Sequence, residues 1–164
     1  MKNVVLIGMP GAGKSTIGVL LAKSLLMDFV DTDLIIQKEC GAALCDIIEK
    51  VGVESFIEKE NEIICASEFE NSVVATGGSV IYGKEAMKKL KENSVVVYLS
   101  LPTEELEKRI FNIKTRGIAM KKGTTLSELF RERKELYEKY ADIELSCFGL
   151  TAEECVSEII KKLK

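Results

Sequence analysis

Apolar positions along the chain fall into two rhythms. Short β-branched runs, NVVLIG, FVDTD, SVVATGG and SVVVYLS, alternate with longer segments of helical period: TIGVLLAKSLL, a long stretch from about residue 34 to Phe69, KEAMKKLK and TEELEKRI. That alternation predicts a parallel sheet with crossover helices. Val- and Ile-rich strands with few alternating polar residues suit a sheet covered on both faces, which is the α/β class. After Ile110 the rhythm changes. A Lys/Arg/Gly loop runs to Gly123, a helix is expected from about Leu126 to Tyr140, and DIELSC reads as a fifth strand. The closing helix opens with a capping box, Thr151 to Glu154. With no repeat and no low-complexity linker, the 164 residues read as one domain, 1–164.

One stretch disturbs the pattern. ESFIEKENE, Glu54 to Glu62, carries four glutamates and looks like a solvated face. On a wheel of about 100° per residue, however, Val53, Phe56, Ile57, Ile63 and Ile64 gather on one arc, with Glu60 in the middle of it. A carboxylate there either snorkels out to water or meets a cation inside a site.

Charge and cysteine usage narrow the classes. A net charge of −3 and a pI near 5.3 give no global positive field toward nucleic acid or an anionic membrane, so any polyanion site must be local. The five cysteines form no CxxC pair and there is no histidine, which argues against a zinc site of the usual kind. They read as buried thiols of a reducing compartment. VVLIGM is too short for a signal-peptide core, and no apolar run approaches the roughly 20 residues that span a bilayer, so a cytoplasmic protein is expected.

GMPGAGKS, Gly8 to Ser15, satisfies GxxxxGK[ST], with an apolar strand before it and an amphipathic helix after it. The glycines let successive N–H groups point at phosphate oxygens, and the helix start adds partial positive charge. Lys14 should reach the β/γ-phosphates and Ser15 should ligate Mg²⁺. A GTPase would need NKxD and DxxG, and neither occurs. A compact phosphotransferase remains. Asp31 and Asp33 in DTD, set two apart at the end of a strand, are expected on the same side, one for metal and one for an acceptor hydroxyl. The plainer reading is that Thr32 or Asp33 caps the next helix. TGGSV, Thr76 to Val80, offers backbone N–H groups for close approach to a ligand. IKTRGIAMKKG, with Lys114, Arg116, Lys121 and Lys122 and no acid, reads as a lid over polyphosphate.

GMPGAGKST, FVDTD, the ATGG turn, the TRG loop and ERKELYEKYAD stand in the order and spacing of shikimate kinases. The whole chain resembles that family, small members of the nucleoside monophosphate kinase superfamily. The resemblance implies a three-layer P-loop kinase fold: a five-stranded parallel sheet flanked by helices, acceptor-binding helices over about 34–69 and a lid over about 112–124. It implies ATP and Mg²⁺ as cofactors and phosphorylation of shikimate to shikimate 3-phosphate by a monomer. Gly11, Ala12, Gly13, Lys14, Ser15 and Thr16 would hold the nucleotide, with Arg109 flanking the adenine and Arg116 reaching the phosphates from the lid. Ser15 and Asp31 would serve the metal. Lys14, Asp33 and Arg116 would be catalytic, Asp33 positioning the attacking hydroxyl. Gly77, Gly78 and Ser79 would line the acceptor pocket, and Arg133 would grip the substrate carboxylate, a task suited to a guanidinium fork. Glu60 matches the acid that braces the pocket arginines, and is expected to pair with Arg133.

Three departures bear on the acceptor. The family pattern GExxFRxxE reads GVESFIEKE here, so Ile57 stands where a second carboxylate-gripping arginine is usual. Ser79 replaces a third glycine, and Gly117 replaces the proline after the lid arginine. Losing one charge-assisted contact costs roughly 1.5 to 3 kcal/mol, or on the order of 10- to 150-fold in binding. Either shikimate binds weakly, or the pocket serves another polyol, sugar acid or hydroxy amino acid. A nucleotide sensor without an acceptor is the remaining alternative, and Asp33, Arg116 and Arg133 argue against it.

Overall fold

The computed structural model describes residues 2–110 and 117–164. Strands β1 (Asn3–Ile7), β2 (Asp28–Asp31), β3 (Ser72–Ala75), β4 (Ser94–Ser100) and β5 (Ile143–Ser146) form one sheet in the order β2-β3-β1-β4-β5. Every pairing is parallel, with Val5 opposite Val74 on one side and Val96 on the other. The expected five-stranded α/β sheet is therefore present. All five residues of β1 are buried, because helices cover both faces of the central strand. Its one polar member, Asn3, is satisfied: Nδ2 donates to the Phe69 carbonyl at 2.8 Å and Oδ1 accepts from Ser72 N–H at 2.9 Å.

Helices α1 (Lys14–Leu25), α2 (Thr32–Cys40), α3 (Leu44–Val51), α4 (Val53–Ala66), α5 (Lys84–Glu92), α6 (Thr103–Arg109), α7 (Leu126–Tyr140) and α8 (Ala152–Leu163) connect and flank the strands. The long helical stretch before Phe69 divides into three helices. Gly41 (φ 64°) ends α2 and Gly52 (φ 84°) separates α3 from α4, each making a turn that a continuing helix cannot follow. Capping boxes open both α7, through Thr125 and Glu128, and α8, through Thr151 and Glu154.

Two apolar clusters result. The larger packs β1, β3 and β4 between α1, α5, α7 and α8, with Tyr98 and Tyr137 stacked at 5.1 Å between ring centroids. The smaller holds Ile36, Leu44, Ile47, Phe56 and Ala119 and beds α2, α3 and α4. All five cysteines are free thiols. Only Cys147 and Cys155 are buried, so the expectation of buried thiols fails for the half-buried Cys40, Cys45 and Cys65. Among the described residues no group of three or more His, Cys, Asp or Glu could hold a metal, and no helix is long and apolar enough to cross a membrane.

Candidate active site

The loops after β1 and β3 and the start of α2 after β2 leave the C-terminal ends of these strands at the same edge of the sheet, where open α/β sheets bind ligands. They enclose a cleft of about 160 Å³ lined by Gly11, Gly13, Lys14, Ser15, Thr16, Asp33, Gly77, Gly78, Ser79 and Arg133, with Leu44, Phe56 and Ile118 as apolar walls. Ala12 is turned into the core, 1% exposed.

At the Gly8–Ser15 loop the backbone sets the geometry. Gly13 (φ 91°) precedes α1 and gives it no side-chain cap, so the first N–H groups of the helix stay available to an anion at the cleft. The buried Lys14 ammonium donates to the carbonyls of Gly8 (2.7 Å) and Met9 (2.9 Å), which folds it over the loop. Ser15 Oγ donates to Asp31 Oδ2 at 2.8 Å, bringing together a hydroxyl and a carboxylate suited to a hard cation such as Mg²⁺. Arg109 is exposed at the end of α6, and its Cβ lies 3.7 Å from where a Cβ on Gly11 would stand.

The DTD segment is arranged differently from the strand expectation. Strand β2 stops at Asp31, which becomes the N-cap of α2 by accepting from Asp33 N–H through Oδ1 at 3.0 Å. Asp33 is thus a first-turn helix residue, and the turn of α2 rather than strand alternation aims it into the cleft. Asp31, not Thr32 or Asp33, is the cap.

Gly77 and Gly78 are required by close approach. A Cβ on Gly77 would lie 2.7 Å from Asp33 Oδ1 and 2.9 Å from Glu60 Oε2, and one on Gly78 would lie 2.7 Å from Arg133 Nη1. Behind this loop α4 turns Glu60 inward, only 2% exposed, where Ser79 Oγ donates to its Oε1 at 2.7 Å. Burial lifts the Glu60 carboxyl from its ordinary 4.5 to about 7; the Ser79 hydrogen bond opposes the rise, the Asp33 charge adds to it, and the Arg133 and Lys14 charges oppose it.

The expected Glu60–Arg133 pair does not form. Arg133, 1% exposed, donates from Nη2 to the Ala119 carbonyl at 2.7 Å and lies over the Tyr82 ring at 5.5 Å, while Ser79 claims the carboxylate. Ile57 is not brought into the cleft either. It lines a second cavity, of about 260 Å³, with Tyr82, Lys121 and Glu132, the last accepting from Tyr82 O–H at 2.7 Å. Arg116 and the first part of the lid, 112–116, lie outside the described residues; Gly117, Ile118 and Ala119 line the cleft. Sequence reading missed two supports. Tyr137 O–H donates to the Gly78 carbonyl at 2.6 Å, and the Ala119 carbonyl docks Arg133. The four-residue spacing of Arg133 and Tyr137 on α7 was the available signal for the first.

The fold and the cleft define a small-molecule kinase built on a phosphate-binding loop. The family model described as shikimate kinase matches residues 10–164. The shikimate kinase of Persephonella marina is 37% identical over 100% of both chains, and that of Thermodesulfovibrio yellowstonii 38% identical over 99% of this chain and 95% of its own. The solved shikimate kinase of Acinetobacter baumannii in complex with shikimate is 29% identical and superposes with a TM-score of 0.89, covering 99% of this chain and 93% of that one. The Aquifex aeolicus enzyme gives 35% and 0.83 over 98% and 95%. This chain belongs to the shikimate kinase family.

Proposed function

We propose that this protein transfers the γ-phosphoryl group of ATP to a ring hydroxyl of shikimate, giving shikimate 3-phosphate. One observation carries the reading: Asp33 and Arg133, from helices at opposite ends of the chain order, face the same cleft as Lys14 and Ser15. A carboxylate for a hydroxyl and a guanidinium for a carboxylate thus stand beside the phosphate cradle. Transfer of this kind is mostly positioning and charge neutralisation. Lys14 and the α1 N–H groups hold the phosphates, Asp33 orients the acceptor hydroxyl in line and takes its proton, and Arg133 fixes the acceptor by its carboxylate. Ser15 and Asp31 would hold Mg²⁺, which neutralises phosphate charge when bound. Arg116 would add a cation from the lid, and Arg109 would flank the adenine. The same reading makes the chain a single-domain cytoplasmic monomer with no nucleic-acid or membrane partner, in keeping with its net charge of −3.

ADP release assayed with a panel of hydroxylated metabolites tests this. Shikimate should stimulate release well above the ATP-only background, and other polyols, sugar acids and hydroxy amino acids should not. A different acceptor with the higher kcat/KM would replace the reading, and no stimulation by any acceptor would leave a nucleotide-binding module.

A further inference from the structure

Glu60 is the one buried acid among the described residues. Its two oxygens stand in different surroundings. Oε1 accepts from Ser79, whereas Oε2 is sealed from solvent with no hydrogen-bond partner among the described residues. Oε2 and Asp33 Oδ1 crowd the same point beside Gly77. The other charged residues of α4, Glu54, Glu58, Lys59 and Glu62, are exposed, and Ile57, one turn earlier, offers no charge. From α1 Lys14 faces the group, from α2 Asp33 and from α7 Arg133, and Glu60 forms an ion pair with none of them. A sealed carboxylate with a single donor and a second carboxylate beside it is better accommodated uncharged.

We propose that Glu60 stands behind the Gly77–Gly78 loop of the acceptor site as a neutral carboxyl group, its proton on Oε2, so that the cleft carries no second negative charge beside Asp33. The cleft therefore presents Arg133 to an anionic acceptor without an opposing charge from Glu60. The raised titration of Glu60, to about 7, agrees with this arrangement. Ionising the group puts a negative charge behind the Gly77–Gly78 loop and repels the acceptor carboxylate. Glu60 is then a specificity-determining residue whose effect is selective for acids.

The inference rests on the proposed carboxylate acceptor, so its test has two independent readouts. The first is ¹³C NMR of glutamate carboxyls in the ligand-free protein, with Glu60→Gln assigning the resonance. The second is the shikimate KM at pH 6.5 and 8.5 for wild type and Glu60→Gln. Glu60 should titrate near 7, and wild-type KM should rise about tenfold over that interval. Glu60→Gln should hold KM within about twofold across it. Titration of Glu60 near its ordinary 4.5, or an equal KM rise in Glu60→Gln, overturns the inference. Titration near 7 with no shikimate turnover at either pH overturns the acceptor assignment while supporting the neutral carboxyl.

Discussion

The two ends of the cleft are built on different principles. The nucleotide end is a backbone device: a loop and an uncapped helix start mounted on the main core, where Val5, Leu6 and Ile7 are wholly buried. The acceptor end is a side-chain device. Asp33, Glu60 and Arg133 come from three helices, two of them bedded on a small satellite cluster of five buried residues. Backbone N–H groups present the same chemistry whatever the neighbouring side chains are, so the cradle tolerates drift around it. An acceptor site made of individual charges changes with each substitution. The departures at Ser79 and Gly117 fall on that second kind of ground, whereas Ile57 faces the other cavity.

Single substitutions should break this contrast in a graded way. Asp33→Asn should have the largest effect, cutting kcat roughly 10²- to 10⁴-fold while the ATP KM stays within about twofold. Steady-state kinetics with each substrate varied would show it, and unchanged turnover would remove Asp33 from its role. Next, Arg133→Met should raise the shikimate KM roughly 10- to 150-fold and leave the ATP KM near wild type. Equal loss for both substrates would make Arg133 a structural residue only.

Stability should report on Glu60 with a definite sign. Its folded titration, about 7, lies above the ordinary 4.5, so the native state holds a proton that the unfolded chain releases. The stability is fully present below about 4.5 and is lost as pH rises through 7. Urea unfolding of wild type should therefore lose roughly 2 to 3 kcal/mol between pH 5 and 8 relative to Glu60→Gln. Parallel curves for the two proteins would place Glu60 in a better-solvated setting. The smallest effect is expected away from both ends: Thr151→Ala removes the α8 cap and should cost about 1 kcal/mol with neither KM altered.

Much of the fold was legible because its signals are local. Uninterrupted Val and Ile runs marked the strands, and the bounds of α7 and the α8 capping box follow from apolar spacing and a Thr-x-x-Glu motif. The wheel that put Glu60 on an apolar arc was right about its burial. What escaped depended on partners distant in sequence. Glu60 turned to Ser79, nineteen residues on, and Tyr137 reached Gly78 across fifty-nine. Two glycines with positive φ set where the helical stretch before Phe69 divides, bounds that periodicity left open. Position 117 also has a steric reason that sequence does not carry. Its φ of 72° excludes proline, and a Cβ there would stand 2.5 Å from the Leu44 Cβ.

The docking of Arg133 by one amino group has an entropic consequence. A free arginine side chain retains about 2 kcal/mol of rotamer freedom, which a ligand would otherwise have to suppress on arrival. Here the Ala119 carbonyl and the Tyr82 ring hold the fork before any acceptor enters. That ordering is complete when the chain folds, so a ligand held by the remaining donors would not have to supply it on association.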